Sequence, residues 1–218
     1  MNLALAANDA GADILSAMGP PKQKINNATA LVDWINPITD IVSNLPFYYY
    51  ESPAISGVAV DMVEFLELAD KKLKTLVGLK FNNPDLDMLQ RCMAVQNGKF
   101  DILFGVDEML IEGLDHGCKG AVGSTYNFAA PIYHKLVSAY NSGNHSEAQK
   151  LQKYSIQFID IIAKYDFLPT AKALMKKFGV DCGPARPPHR QLSKNEIETL
   201  YNELDQINFF ERANEHTK

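Results

Sequence analysis

The chain has 218 residues, 46% apolar and 22% charged, which is ordinary globular composition and excludes a disordered chain or a small disulfide-stapled scaffold. Lys and Arg number 21 against 26 Asp and Glu, and at −5 overall with scattered positive residues a nucleic-acid partner is excluded. Three widely spaced cysteines (Cys92, Cys118, Cys182), a start without a basic leader and no apolar run of ~20 residues predict a cytoplasmic protein with no membrane partner.

Met1 to Asp9 reads as a helix that exits through Gly11, and residues 14–18 as a strand stopped by Gly19-Pro20-Pro21. A helix then carries Leu31, Trp34, Ile35, Ile38 and Ile41 at helical spacing, with a kink expected at Pro37. The next strand ends Phe47-Tyr48-Tyr49-Tyr50, and a helix follows through Met62, Phe65, Leu66 and Leu68. Residues 76–81 form an apolar strand with Lys80 near its end, and Asn83-Pro84-Asp85 announces a helix with the proline expected in its first turn. A fourth strand at 100–104, a helix through Met109, Leu110 and Leu114, and a fifth strand at 120–123 continue the alternation.

After residue 142 the pattern becomes helical. Asn144 with Glu147 resembles a capping box ahead of a long helix marked by Leu151, Phe158 and Ile162. A further helix is expected from about Pro169 to Phe178, then an extended connector around Pro184, Pro187 and Pro188, then a helix with Ile197, Leu200, Tyr201 and Leu204. The expected organisation is a βα part over residues 1–142 and a helical segment over 143–218. The strands are short and apolar enough to be buried on both faces of a parallel sheet.

In parallel α/β folds, functional groups gather at the carboxyl ends of the strands. Read that way, Tyr50, Lys80, the Gly105-Val106-Asp107-Glu108 segment and the Gly123-Ser124-Thr125 loop converge on one rim. A lysine held among apolar neighbours pays for its charge in lost hydration, and its neutral amine can then attack a carbonyl, which makes Lys80 a candidate Schiff-base nucleophile. Singly, each residue also has a bland reading: a snorkelling edge lysine, a packed tyrosine, a helix-start carboxylate, a cap. Four strand ends in a row favour a shared site.

Phe47-Tyr48-Tyr49-Tyr50 with Pro53-Ala54-Ile55-Ser56-Gly57, then Gly78-Leu79-Lys80, Phe104-Gly105-Val106-Asp107-Glu108 and Gly120-Ala121-Val122-Gly123-Ser124-Thr125-Tyr126-Asn127, resemble the N-acetylneuraminate lyases. These are a branch of the class I pyruvate aldolase superfamily that includes dihydrodipicolinate synthase. The resemblance implies an α/β fold, a (β/α)8 TIM barrel of which this chain holds strands corresponding to 4–8, with a C-terminal helical segment and a homotetrameric assembly. It implies a retro-aldol cleavage of sialic acid to N-acetylmannosamine and pyruvate with no metal or organic cofactor. Lys80 matches the imine-forming lysine and Tyr50 the proton-shuttling tyrosine, while Asn82, Gly105, Asp107, Glu108 and Ser124 match substrate contacts. No arginine follows the Tyr50 strand to grip a dicarboxylate, as the synthases have. The family's carboxylate-binding Gly-Ser-Thr-Gly-Glu-type segment does not precede Tyr50 either, so the first three βα units are expected to be missing. Two other readings stay open: an aldolase for another 2-keto-3-deoxy acid, and an impaired form that associates with a full-length relative.

Overall fold

The computed structural model describes residues 1–21 and 23–215, and it opens on α1 (Asn2–Asp9), which leaves through Gly11 at a positive φ of 84°. β1 (Leu15–Met18) follows, then α2 (Ala28–Ile41), whose first turn is capped by Asn27 accepting the Ala30 N–H at 2.8 Å. α2 holds Pro37 inside its span without ending there. β2 (Phe47–Glu51) passes into the four-residue α3 (Pro53–Ser56), and Gly57 closes that turn at a φ of 71°. α4 (Met62–Lys72) is capped by Asp61, whose carboxylate accepts the Val63 and Glu64 N–H groups, and its last turn carries Lys71 and Lys72 at the negative end of the helix dipole.

β3 (Leu76–Phe81) leads to α5 (Leu86–Ala94). Here Asp85 is the cap, accepting the Met88 N–H at 2.9 Å, so Pro84 lies ahead of the helix and not in its first turn. The carboxylate outcompetes the proline for the start because it satisfies an otherwise orphaned donor. A 3-10 turn over Val95–Asn97 precedes β4 (Asp101–Phe104).

The four strands form one parallel sheet in the order β1-β2-β3-β4. The expected fifth strand is reduced to a parallel bridge between Ala121 and Phe104, with glycines at 120 and 123 on either side of it. Glycine gains little from a ladder and loses much freedom in it. The sheet is also not equally buried on its two sides. Tyr49, Leu79 and Ile102 line a face that is at most 2% exposed, whereas Met18, Tyr50, Lys80 and Leu103 on the other are only half-buried. Tyr49 meets the Phe65 ring of α4 at 5.1 Å between centroids. The pleat explains the difference, since neighbouring residues on a strand point to opposite sides. These elements, with residues 112–122, make one of two compact units.

The other unit comprises residues 107–111 and the chain from Gly123 onward. A 3-10 turn at Asp107–Met109 runs into α6 (Leu110–Asp115), and α7 (Tyr126–Asn141) follows the Gly123-Ser124-Thr125 turn. α7 fills a stretch for which the sequence showed no element. Pro131 lies inside it and Ala129 departs from helical geometry, which together mask its periodicity. Asn144 accepts the Glu147 N–H and starts α8 (His145–Ile162). α9 (Phe167–Lys177) comes next, then an irregular stretch, then α10 (Lys194–Gln206), which opens on a full capping box between Ser193 and Glu196. α11 (Phe209–Asn214) ends the described elements. Phe128, Phe158, Phe178 and Phe210 surround Phe209 with ring centroids 5.0 to 6.4 Å away, an edge-to-face and tilted cluster that forms this unit's core. No helix among the described residues is long and apolar enough to cross a membrane.

Gly78 gives the sheet its most exacting position. A methyl group there would overlap the Asp101 backbone carbonyl and come within 2.8 Å of the Tyr48 ring. The space it leaves lets Tyr48 cross β3 and donate to Asp101 Oδ2 at 2.8 Å. Gly78→Ala is expected to cost about 1–3 kcal/mol, as overpacking does. The check is a urea titration at constant m-value; an unchanged midpoint would mean that β4 moves aside freely.

Candidate active site

The register of β2 on β3 places Tyr50 directly opposite Lys80. Residues opposite one another in a sheet share a face, so the two side chains leave the same side as neighbours. Lys80 Nζ lies 3.9 Å from the centroid of the Tyr50 ring, well within cation–π range. Met18 and Leu103 continue the row on the flanking strands. The amine is thus bracketed by an apolar row and one phenol.

Three successive tyrosines could have met the lysine, and the geometry selects one. Tyr49 points to the buried face, and its phenol is raised above the ordinary range by burial and then by the Glu51 charge. Tyr48 shares Tyr50's face but is spent on Asp101, and burial with that carboxylate pushes it up to about 12. Tyr50 remains the phenol next to the amine.

Beyond Lys80 the chain turns sharply against the end of β2. The Asn82 N–H donates to the Glu51 carbonyl at 3.0 Å, and its side-chain amide donates to Ser52 Oγ at 3.0 Å. Gly105 follows β4, donates to the Phe81 carbonyl at 2.8 Å, and has no side chain because Asn82 occupies the adjoining space. Tyr50, Lys80, Asn82 and Gly105 therefore lie on neighbouring strand ends of one unit.

Glu51 was not singled out by the sequence reading. Phe47, Tyr49 and Glu51 alternate onto the buried face of β2, and Glu51 is 4% exposed. Its Oε1 accepts the Asn83 amide at 3.0 Å, while Oε2 is buried without a hydrogen bond among the described residues. Burial raises its carboxyl from 4.5 to about 7, against the opposing pull of the Asn83 amide and the Asn82 N–H. A glutamate in register with two core aromatics was the available signal.

The remaining predicted residues belong to the other unit. Asp107 is buried and accepts from the Thr125 N–H at 3.1 Å and the Thr125 hydroxyl at 2.5 Å. Tyr133 lies 2.7 Å beyond that hydroxyl, so the protons run from Tyr133 through Thr125 to the carboxylate. A Cβ at Gly123 would collide with Asp107, which explains the glycine. The Tyr126 phenol also meets this carboxylate and is raised above its ordinary range, chiefly by burial and then by Asp107. Glu108 and Ser124 on the same segments are exposed. Gln152, which sequence reasoning missed, reaches from α8 to donate to the Asp107 carbonyl at 3.1 Å and accept the Ile111 N–H at 3.1 Å. A glutamine inside the apolar stripe of a long helix was its signal.

The profile of the dihydrodipicolinate synthetase family matches residues 1–207. The N-acetylneuraminate lyase of Danio rerio is 33% identical over 192 residues, covering 85% of this chain and 62% of that protein. That of Homo sapiens is 32% identical over 210 residues, covering 95% of this chain and 66% of that protein. The chain thus spans less than two thirds of these relatives' length. Among solved structures, the Proteus mirabilis N-acetylneuraminate lyase superposes with a TM-score of 0.91 at 36% identity, covering 95% of this chain and 70% of that one.

The buried Glu51 gives stability a pH dependence whose sign is fixed. The native state holds its proton more tightly than the unfolded chain, so the stabilisation is complete below about pH 4.5 and is lost as pH rises through about 7. Glu51→Gln removes the titration. Its urea midpoint should match the parent's at about pH 5 and exceed it at about pH 8; parallel curves at both would show that the carboxyl is not perturbed.

Proposed function

The chain belongs to the dihydrodipicolinate synthetase family, and from that premise we propose that it performs class I aldolase chemistry, cleaving N-acetylneuraminate to N-acetylmannosamine and pyruvate. The observation that carries this reading is the Lys80 amine against the Tyr50 ring on one rung of the sheet. Lys80 attacks the C2 carbonyl of the open-chain keto acid, and water departs as the Tyr50 hydroxyl supplies a proton. The protonated imine draws electrons as a base removes the C4 hydroxyl proton, the C3–C4 bond breaks, and an aldehyde leaves behind an enamine. Protonation at C3 and addition of water then release pyruvate and restore the amine. In this reading Tyr50 passes protons to and from the imine.

The same reading gives Asn82, Gly105, Asp107, Glu108 and Ser124 the substrate contacts, mostly to its polyhydroxyl chain. Carboxylates suit neighbouring hydroxyls because they accept two bonds at once. Asp107 also accepts from Thr125 through Oδ2, which fixes the turn that carries Ser124. We further propose that the sheet is part of an eight-stranded barrel, with residues 143–218 as its helical appendage, and that the protein assembles as a tetramer in the cytoplasm. The open edge of β1 and three free cysteines support those points.

Incubation with pyruvate and borohydride, then digestion and mass spectrometry, is expected to find a reduced pyruvyl adduct on Lys80. An adduct on another lysine alone would reassign the nucleophile. Tyr50→Phe keeps the ring and removes the proton carrier, so turnover of N-acetylneuraminate should fall by about 10²–10⁴-fold with the fold intact. A loss under about threefold would make Tyr50 a packing residue.

A further inference from the structure

Glu51 takes no step in the reaction above, yet its placement is costly and specific. Burying a carboxylate with one oxygen unpaired is unfavourable, and a glutamine could accept the same Asn83 bond without the charge. What the charge adds is strength, since a bond to an ionised acceptor is roughly twice as strong as a neutral one. The bond in turn has a mechanical role. Asn83 accepts the Asp85 N–H at 3.1 Å, and Asp85 caps α5 through Met88. The Asn82 backbone and amide are tied to Glu51 and Ser52 beside it. The loop that begins two residues after Lys80 is therefore fastened to the residue that follows Tyr50.

We propose that Glu51 is a positioning residue for the imine chemistry, its carboxylate acting through Asn83 to clamp the loop at residues 82–85 onto the Tyr50 strand and so hold amine and phenol in register. The inference rests on the lyase reading of Lys80 and Tyr50. The groups facing the carboxyl from its surroundings are Tyr49 on β2, Asp85 on the loop and Cys92 on α5, with Asp61 and Arg91 acting on Cys92 from beyond. Of these, Asp85 adds negative charge beside the Glu51 carboxyl, and Tyr49 and Cys92 stay neutral. The clamp is accordingly tight when Glu51 is ionised and loose when it is protonated, with the change falling near neutral pH.

The test compares the parent protein, Glu51→Gln and Asn83→Ala by backbone hydrogen exchange at residues 83–88 and by the rate of pyruvate and borohydride trapping at Lys80. At about pH 8, E51Q should exchange faster in that segment and trap about tenfold more slowly than the parent while being more stable to urea; at about pH 5.5 the two should coincide. N83A should reproduce the slow trapping at the higher pH and add nothing when combined with E51Q. Activity lost together with stability would make Glu51 a plain structural residue, and a pH-independent ratio of rates would remove the clamp. A parent without any Lys80 adduct fails the lyase reading; the exchange measurement decides the clamp in that case, because unchanged protection in both variants overturns it and faster exchange supports it.

Discussion

The parallel register between β2 and β3 is the constraint on which the account depends. It sets Tyr50 across from Lys80, Tyr49 across from Leu79 and Glu51 across from Phe81. A slip of one residue would exchange the faces, sending the phenol into the helices and the core aromatics toward the half-exposed side. Gly78 protects that register, because only an unsubstituted position lets Tyr48 cross to Asp101 beside a backbone approach this close. One glycine, one hydrogen bond and a buried aromatic face thus hold Lys80 Nζ at 3.9 Å from the centroid of the Tyr50 ring.

Polar groups at the strand ends are organised by one another. In the first unit, Glu51, Ser52, Asn82 and Asn83 are joined by hydrogen bonds of 3.0 Å. In the second, Asp107, Thr125, Tyr133 and Gln152 form a buried network around a glycine that could be nothing larger. Such networks are costly when half satisfied and rigid when complete. Rigidity is what a reaction needing an amine, a phenol and a keto acid in one geometry requires.

Much of this was legible in the sequence, and the parts that were not have physical reasons. The alternation of apolar runs with amphipathic stretches gave the parallel strands, and Asn144 marked a helix start correctly because capping is a local interaction. α7 escaped because Pro131 argues against a helix in isolation, and only the surrounding packing overrides it. The fifth strand failed because two glycines give a ladder too little to hold. Lys80 and Tyr50 were visible as polar ends of greasy strands, and the row they share follows from the pairing. Glu51 was passed over because the strand was read as ending on Tyr50, one residue too early to show that the alternation continues inward.

A crystal structure of the protein soaked with pyruvate examines the central claim most directly, since the claim is geometric. Continuous density from Lys80 Nζ to C2 of the keto acid, with the Tyr50 hydroxyl about 3 Å from the imine or the bound carboxylate, is the expected result. Pyruvate bound elsewhere, or an imine on Lys80 with the Tyr50 ring turned away from it, would contradict the account.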